Sequence, residues 1–208
     1  GGAVNMTNKQ YLRLVGQTKE STRILFSGIT GHGFDMAGCD HCGLENMTVT
    51  ATGGTPLALV FQARSGAPVN AAGGKNYFEH LRVEGGVVAI YSYGSESNTY
   101  IDVDAIGQVG YYNNAANPLA YTSSFVTIAA GGQSNTHHTW IGGSIVGGRN
   151  GNLAGNEDSA LIINSATTVN FYGTLLNART TNGGYNAYMI CTSQVSFFGA
   201  HLEIYVAM

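Results

Sequence analysis

The chain has 208 residues, enough for one sizeable core, and no break in composition splits it into two domains. Only 10% of its residues are charged, against about 25% in an ordinary soluble domain, while 44% are hydrophobic and 30 are Gly, which excludes both a disordered chain and a helix-rich one. A net charge of −3 with nine scattered basic residues excludes a nucleic-acid stripe, and no apolar run approaches the ~20 residues that insert in a membrane.

Residues 1–8 read as a linker, so the chain is expected to be a piece of something longer. "YLRLVGQ" from Tyr11 and "TRILFSG" from Thr22 form a first, less regular pair of strands. "GFDMAGC" from Gly33 leads into "CDHC" and then "LENMTVT" from Leu44. Cys39 and Cys42 have metal-ligand spacing, but a structural zinc site needs four ligands. No second CxxC or HxxxH follows, and only folding coincidence would bring in His41 and Cys191. They read as buried or loop thiols, with no metal and no cofactor implied.

The next strands are "LALVFQA" from Leu57, "FEHLRVE" from Phe78, "VVAIYSY" from Val87 and "YIDVDAI" from Tyr100. An insertion of about 107–136 follows, carrying Tyr111, Tyr112, Tyr121 and Phe125 among Asn, Ala and Ser. His137 and His138 enter "WIGGSIV" and read as turn and surface residues. The Gly/Asn-rich loop 147–158 lacks the alternating acidic pattern of a calcium loop. "ALIINSA", "FYGTLLN", "AYMICTS" and "FFGAHLE" complete the series.

These segments repeat. A large apolar or aromatic anchor (Leu44, Phe78, Tyr100, Trp140, Phe171, Phe197) is followed two positions later by a turn-tolerant residue: Asn46, His80, Asp102, Gly142, Gly173, Gly199. Alternation follows, with Met47/Val49, Leu81/Val83, Val103/Ala105 and Ala200/Leu202 on one face. A second strand precedes the anchor by about ten residues in most units. Strand units of 20–40 residues that grow only by loop insertion signal a solenoid, whose units bury a shared core only when stacked. The expected fold is all-β, a right-handed parallel β-helix of about six to seven coils forming one domain over 1–208. Leu81, Val83, Val103, Ala105, Ile145 and Leu202 should lie inside it, with Phe78, Tyr100, Trp140, Phe171 and Phe197 buried in register.

The same register groups the candidates for chemistry. If Ile101, Val103 and Ala105 point inward, Asp102 and Asp104 point outward, roughly 6.5–7 Å apart by the strand rise. That is compatible with the ~6.5–9.5 Å between the carboxyls of inverting glycosidases. Asp104 should share a column with Arg82 and Ser144, so Arg82, Glu84, Asp102 and Asp104 gather on one outer patch. Glu84, Asp102 and Asp104 are the candidate catalytic acid and base, and Arg82 and His80 the candidate substrate-positioning residues. Tyr111, Tyr112 and Tyr121 are candidate platforms for sugar rings. Outward polar residues on any half-buried strand give the same pattern without chemistry, and both readings stay open.

In "GLENMTVTATGGTP…ALVFQARS", "NYFEHLRVEG", "VVAIYSYGSESNTYIDVDA" and "SFFGAHLEIY", over about 33–206, the chain resembles the pectate-lyase-like β-helices of bacteriophage tailspikes and tail fibres. The resemblance implies an extracellular protein of the virion tail. It would be a homotrimer in contact with other tail proteins, touching bacterial surface glycan with glycoside hydrolase or polysaccharide lyase activity. A structural or adhesive fibre without catalysis and a free bacterial polysaccharide lyase or hydrolase are the alternatives.

Overall fold

The computed structural model describes residues 2–52, 58–63, 74–93, 95–107, 109–114, 137–147, 160–164, 168–180, 187–190 and 194–206. Among them there is no helix. The strands of the first half are β1 (Val4–Asn5), β2 (Arg13–Val15), β3 (Arg23–Ser27), β4 (His32–Ala37), β5 (Gly43–Thr52), β6 (Ala58–Ala63), β7 (Tyr77–Glu84), β8 (Val88–Tyr93) and β9 (Thr99–Ile106). Then come β10 (Val109–Asn114), β11 (His138–Ile141), β12 (Ser144–Gly147), β13 (Leu161–Asn164), β14 (Val169–Tyr172), β15 (Leu175–Thr180), β16 (Ala187–Ile190), β17 (Val195–Phe198) and β18 (His201–Val206).

Two parallel sheets contain them all. One has seven strands in the order β1-β4-β6-β8-β10-β13-β16, and the other has eleven. From β4 onward the chain alternates between the sheets, and each strand pairs in parallel with its counterpart one passage later. Thus Phe34 faces Val60 and then Ile90, while Leu44 faces Phe78 and then Tyr100. Consecutive strands of different sheets pack across the interior and do not pair, while β11 and β12, β14 and β15, and β17 and β18 follow one another end to end in the larger sheet.

The turn-tolerant residues explain the shape of the larger sheet. Asn46, His80 and Asp102 have φ of 54°, 48° and 48°, and Gly142, Gly173 and Gly199 have 66°, 61° and 61°. All six expected positions thus occupy the left-handed region, which Asn, Asp, His and Gly enter most readily. One such residue bends each strand and resets its alternation. In β9, Tyr100 is inward, Ile101 and Asp102 are both outward, and Val103 is inward again. The expectation that Ile101 lies inside is therefore corrected: strict period two fails across the bend. At Gly143, just before β12 begins, the backbone of Val103 comes so close that a Cβ would overlap its carbonyl.

The core lies between the sheets. Phe78 stacks on Tyr100 (ring centroids 5.1 Å), Tyr100 on Trp140 (4.3 Å), Trp140 on Phe171 (6.3 Å) and Phe171 on Phe197 (5.0 Å). The first four rings are fully buried, as are Leu81, Val83, Val103, Ala105 and Ile145. Two residues depart from expectation. Phe197 is 38% exposed and Leu202 59%, although both keep their register with Phe171 and Leu176. They stand on β17 and β18, beyond which no described strand pairs to cover them.

A polar ladder runs beside the aromatic one. The Asn98 Oδ1 accepts from the Asn76 amide at 3.0 Å, and the Asn76 Oδ1 accepts from the Cys42 amide at 3.0 Å. The next position in this column is His138, which is fully buried and not the surface residue its polar neighbours suggested. Burial pushes its pKa down to about 3. Cys39 and Cys42 are buried free thiols that donate to the carbonyls of Met6 (2.9 Å) and Lys9 (3.4 Å). Burial, with Cys42 next, pushes the Cys39 thiol up to about 12, and His41 turns outward to stack on Tyr11. Cys191 and the loop 148–159 lie outside the described residues.

Candidate functional site

Parallel register brings the outer carboxylates and bases together. Arg82 pairs with Asp104, Asp104 with Ser144, and Thr48 with Arg82, so four side chains form one column on strands ~4.8 Å apart. Two positions on, Thr50 pairs with Glu84. Arg82 Nε donates to Glu84 Oε2 at 2.8 Å, and Ser144 Oγ donates to Asp104 Oδ1 at 2.7 Å.

The far wall comes from the connection between β2 and β3. Gly16 begins it, where a Cβ would collide with the Asn46 carbonyl and the Thr22 side chain. Thr18 and Ser21 bond to one another, Gln17 N donates to Thr22 Oγ1 at 2.8 Å, and Thr48 Oγ1 donates to the Lys19 carbonyl at 2.5 Å. So fixed, the connection sends Lys19 across β5 and β7. Its Nζ lies 2.7 Å from Asp104 Oδ2, 3.5 Å from Asp102 Oδ2 and 3.2 Å from the Asp102 carbonyl.

The result is a groove of about 550 Å³. Arg82 and Glu84 of β7 line it between Thr48 and Thr50 of β5 and the Lys19–Asp102–Asp104 cluster, and Glu20 and Arg23 complete the lining. Hydrogen-bond donors and acceptors of both charges thus face one cleft on a rigid sheet. That is chemistry suited to a hydroxyl-rich ligand. The two aspartates are bridged by one ammonium, so the gap that an acid–base pair leaves for sugar and water is taken up by Lys19.

Of the eight residues singled out from the sequence, Arg82, Glu84, Asp102 and Asp104 come together here. His80 stands in the bend column beside Asp102 but does not line the groove; its Nδ1 is 3.9 Å from Glu79 Oε1. Tyr111 and Tyr112 are not in a loop, as expected, but in β10 of the smaller sheet, in register with Ile90 and Tyr91. Tyr121 and Phe125 lie outside the described residues. Sequence reasoning missed Lys19, Glu20 and Arg23, whose irregular first turn carries no repeat signal.

Comparison with protein-family models, curated proteins and solved structures finds no match to this chain. Among the described residues no group of three or more His, Cys, Asp or Glu is placed to hold a metal ion.

Proposed function

We propose that the chain is a right-handed parallel β-helix of about six to seven coils whose outer groove binds bacterial surface polysaccharide, as part of a bacteriophage tail. Alternation of the chain between two parallel sheets, with equivalent residues stacked passage on passage, supports the β-helix. The virion setting rests on the resemblance of the repeat to tailspike and tail-fibre coils. The observation that carries binding is the groove itself, in which Thr48, Thr50, Arg82 and Asp102 offer hydroxyl, guanidinium and carboxylate groups on a scaffold held by buried aromatic rings. Cleavage is the second reading, with Glu84, Asp102 and Asp104 as acid and base. The ammonium bridging the two aspartates favours recognition over hydrolysis.

A homotrimer goes with this reading. Ile141, Tyr172 and Phe198 form an outward, exposed column in register, and subunit packing would cover such an apolar strip. Light scattering should give about three times 21.8 kDa, and a stable 21.8 kDa species at micromolar concentration contradicts the trimer.

The test of function is a bacterial glycan array, followed by reducing-sugar and unsaturated-uronate assays on each hit. Binding without turnover is the expected result. Turnover that falls about 10²–10⁴-fold in Asp102→Asn or Asp104→Asn would establish the enzyme instead. No binding to any glycan would defeat both readings.

A further inference from the structure

The charges of the groove are unevenly placed. At one end Lys19 stands against Asp102 and Asp104, one ammonium for two carboxylates. Toward the other, Arg23 pairs in register with Thr48, and Thr48 with Arg82, so the two arginines flank one threonine in a single column in which Asp104 comes next after Arg82. Two strand spacings put their Cα atoms about 10 Å apart, a gap that two long guanidinium side chains close from either side.

Their engagements differ. Arg82 commits Nε to Glu84, a bond that does not use its two Nη groups. Arg23 is exposed, lines the groove and has no side-chain partner among the described residues. Of the groove's carboxylates, Glu84 is held by Arg82, and Asp102 and Asp104 by Lys19. Glu20 follows Lys19 in the chain and is the remaining negative charge. A guanidinium in a cleft without a carboxylate partner is a ready fork for an oxyanion.

We infer that the Arg23–Arg82 end of the groove takes an anionic substituent of the ligand (a carboxylate, sulfate or phosphate), while hydroxyls of the same ligand fall to Asp102. Only the hydroxyl half rests on the glycan reading. The anion half is open to simple probes.

The experiment follows the arginine Nε–Hε signals of the folded protein by NMR during titration with glucuronate, glucose 6-sulfate, glucose 6-phosphate and glucose. The anions should shift Arg23 and Arg82, with the strongest binder naming the substituent, and glucose should not. Arg23→Gln should weaken that binding at least about 5-fold and Arg23→Lys restore part of it, because a charge-assisted bond is lost and then partly replaced. Arg13, paired with Glu45, is the control for general anion attraction. The inference is overturned if the anions leave Arg23 unmoved, if Arg13 shifts equally, if glucose shifts the same signals as strongly, or if Arg23→Gln binds as tightly as the parent. An anion response without any glycan bound on the array keeps this site and removes the glycan reading. Glycan binding without an anion response does the reverse.

Discussion

Lys19 Nζ and Asp104 Oδ2 meet at 2.7 Å although β5 and β7 lie between β3, which the connection bearing Lys19 enters, and β9, which carries Asp104. The contact ties the irregular first turn to the fourth passage of the larger sheet. Lys19 is only 15% exposed, so the pair is screened less than an ordinary surface bridge. Lys19→Met leaves two carboxylates without their shared cation and should cost about 1–3 kcal/mol in urea unfolding. Asp104→Asn in the Lys19→Met background should cost less than in the parent, with a coupling energy near 1 kcal/mol. Strictly additive effects would mean the bridge contributes nothing.

The aromatic ladder should show a gradient. Trp140 is sandwiched and fully buried, so Trp140→Ala should cost about 3–5 kcal/mol. Phe197→Ala removes a ring already 38% exposed and should cost well under half of that. Equal losses at the two sites, by chemical denaturation, would show that Phe197 is covered in solution.

His80 sits at φ 48° with an exposed side chain, so its backbone and not its ring is the constraint. His80→Gly should be neutral or stabilising by up to about 1 kcal/mol. His80→Val should destabilise by about 1–2 kcal/mol, since a β-branched residue resists the left-handed region. A thermal melt that ranks Val above Gly would place the bend elsewhere.

Acid should weaken the fold through His138. Its pKa is about 3 in the folded protein against an ordinary 6.5, so the unfolded chain binds the extra proton. Stability is therefore full above pH 6.5 and falls as pH drops toward 3. His32, also lowered by burial, adds in the same direction. His138→Asn, which could continue the Asn76–Asn98 ladder, should flatten the fall of Tm between pH 6.5 and 4. An unchanged slope would assign the acid sensitivity to other groups.

Most of the scaffold was readable because stacking makes residues at equal offsets equivalent. The anchors Phe78, Tyr100, Trp140 and Phe171 are all inside, and each residue two positions later is left-handed. Ile101 misled because one left-handed residue shifts the phase of everything before it. His138 misled because its burial comes from the column of Asn76 and Asn98, whereas its local sequence looks like a polar turn. In the groove, Arg82, Glu84, Asp102 and Asp104 follow from register alone. Lys19 does not: it is 83 positions from Asp102 and arrives by the path of a connection, for which no periodicity exists.

The central claim is that this groove holds the glycan. Thr50 lines it with a short side chain and takes no part in the ion pairs, so Thr50→Arg fills the cleft from its wall. Calorimetric titration of the best array ligand against this variant is the most direct measurement. The account predicts at least a 10-fold loss of affinity with Tm unchanged. Full affinity in a folded Thr50→Arg protein would contradict it.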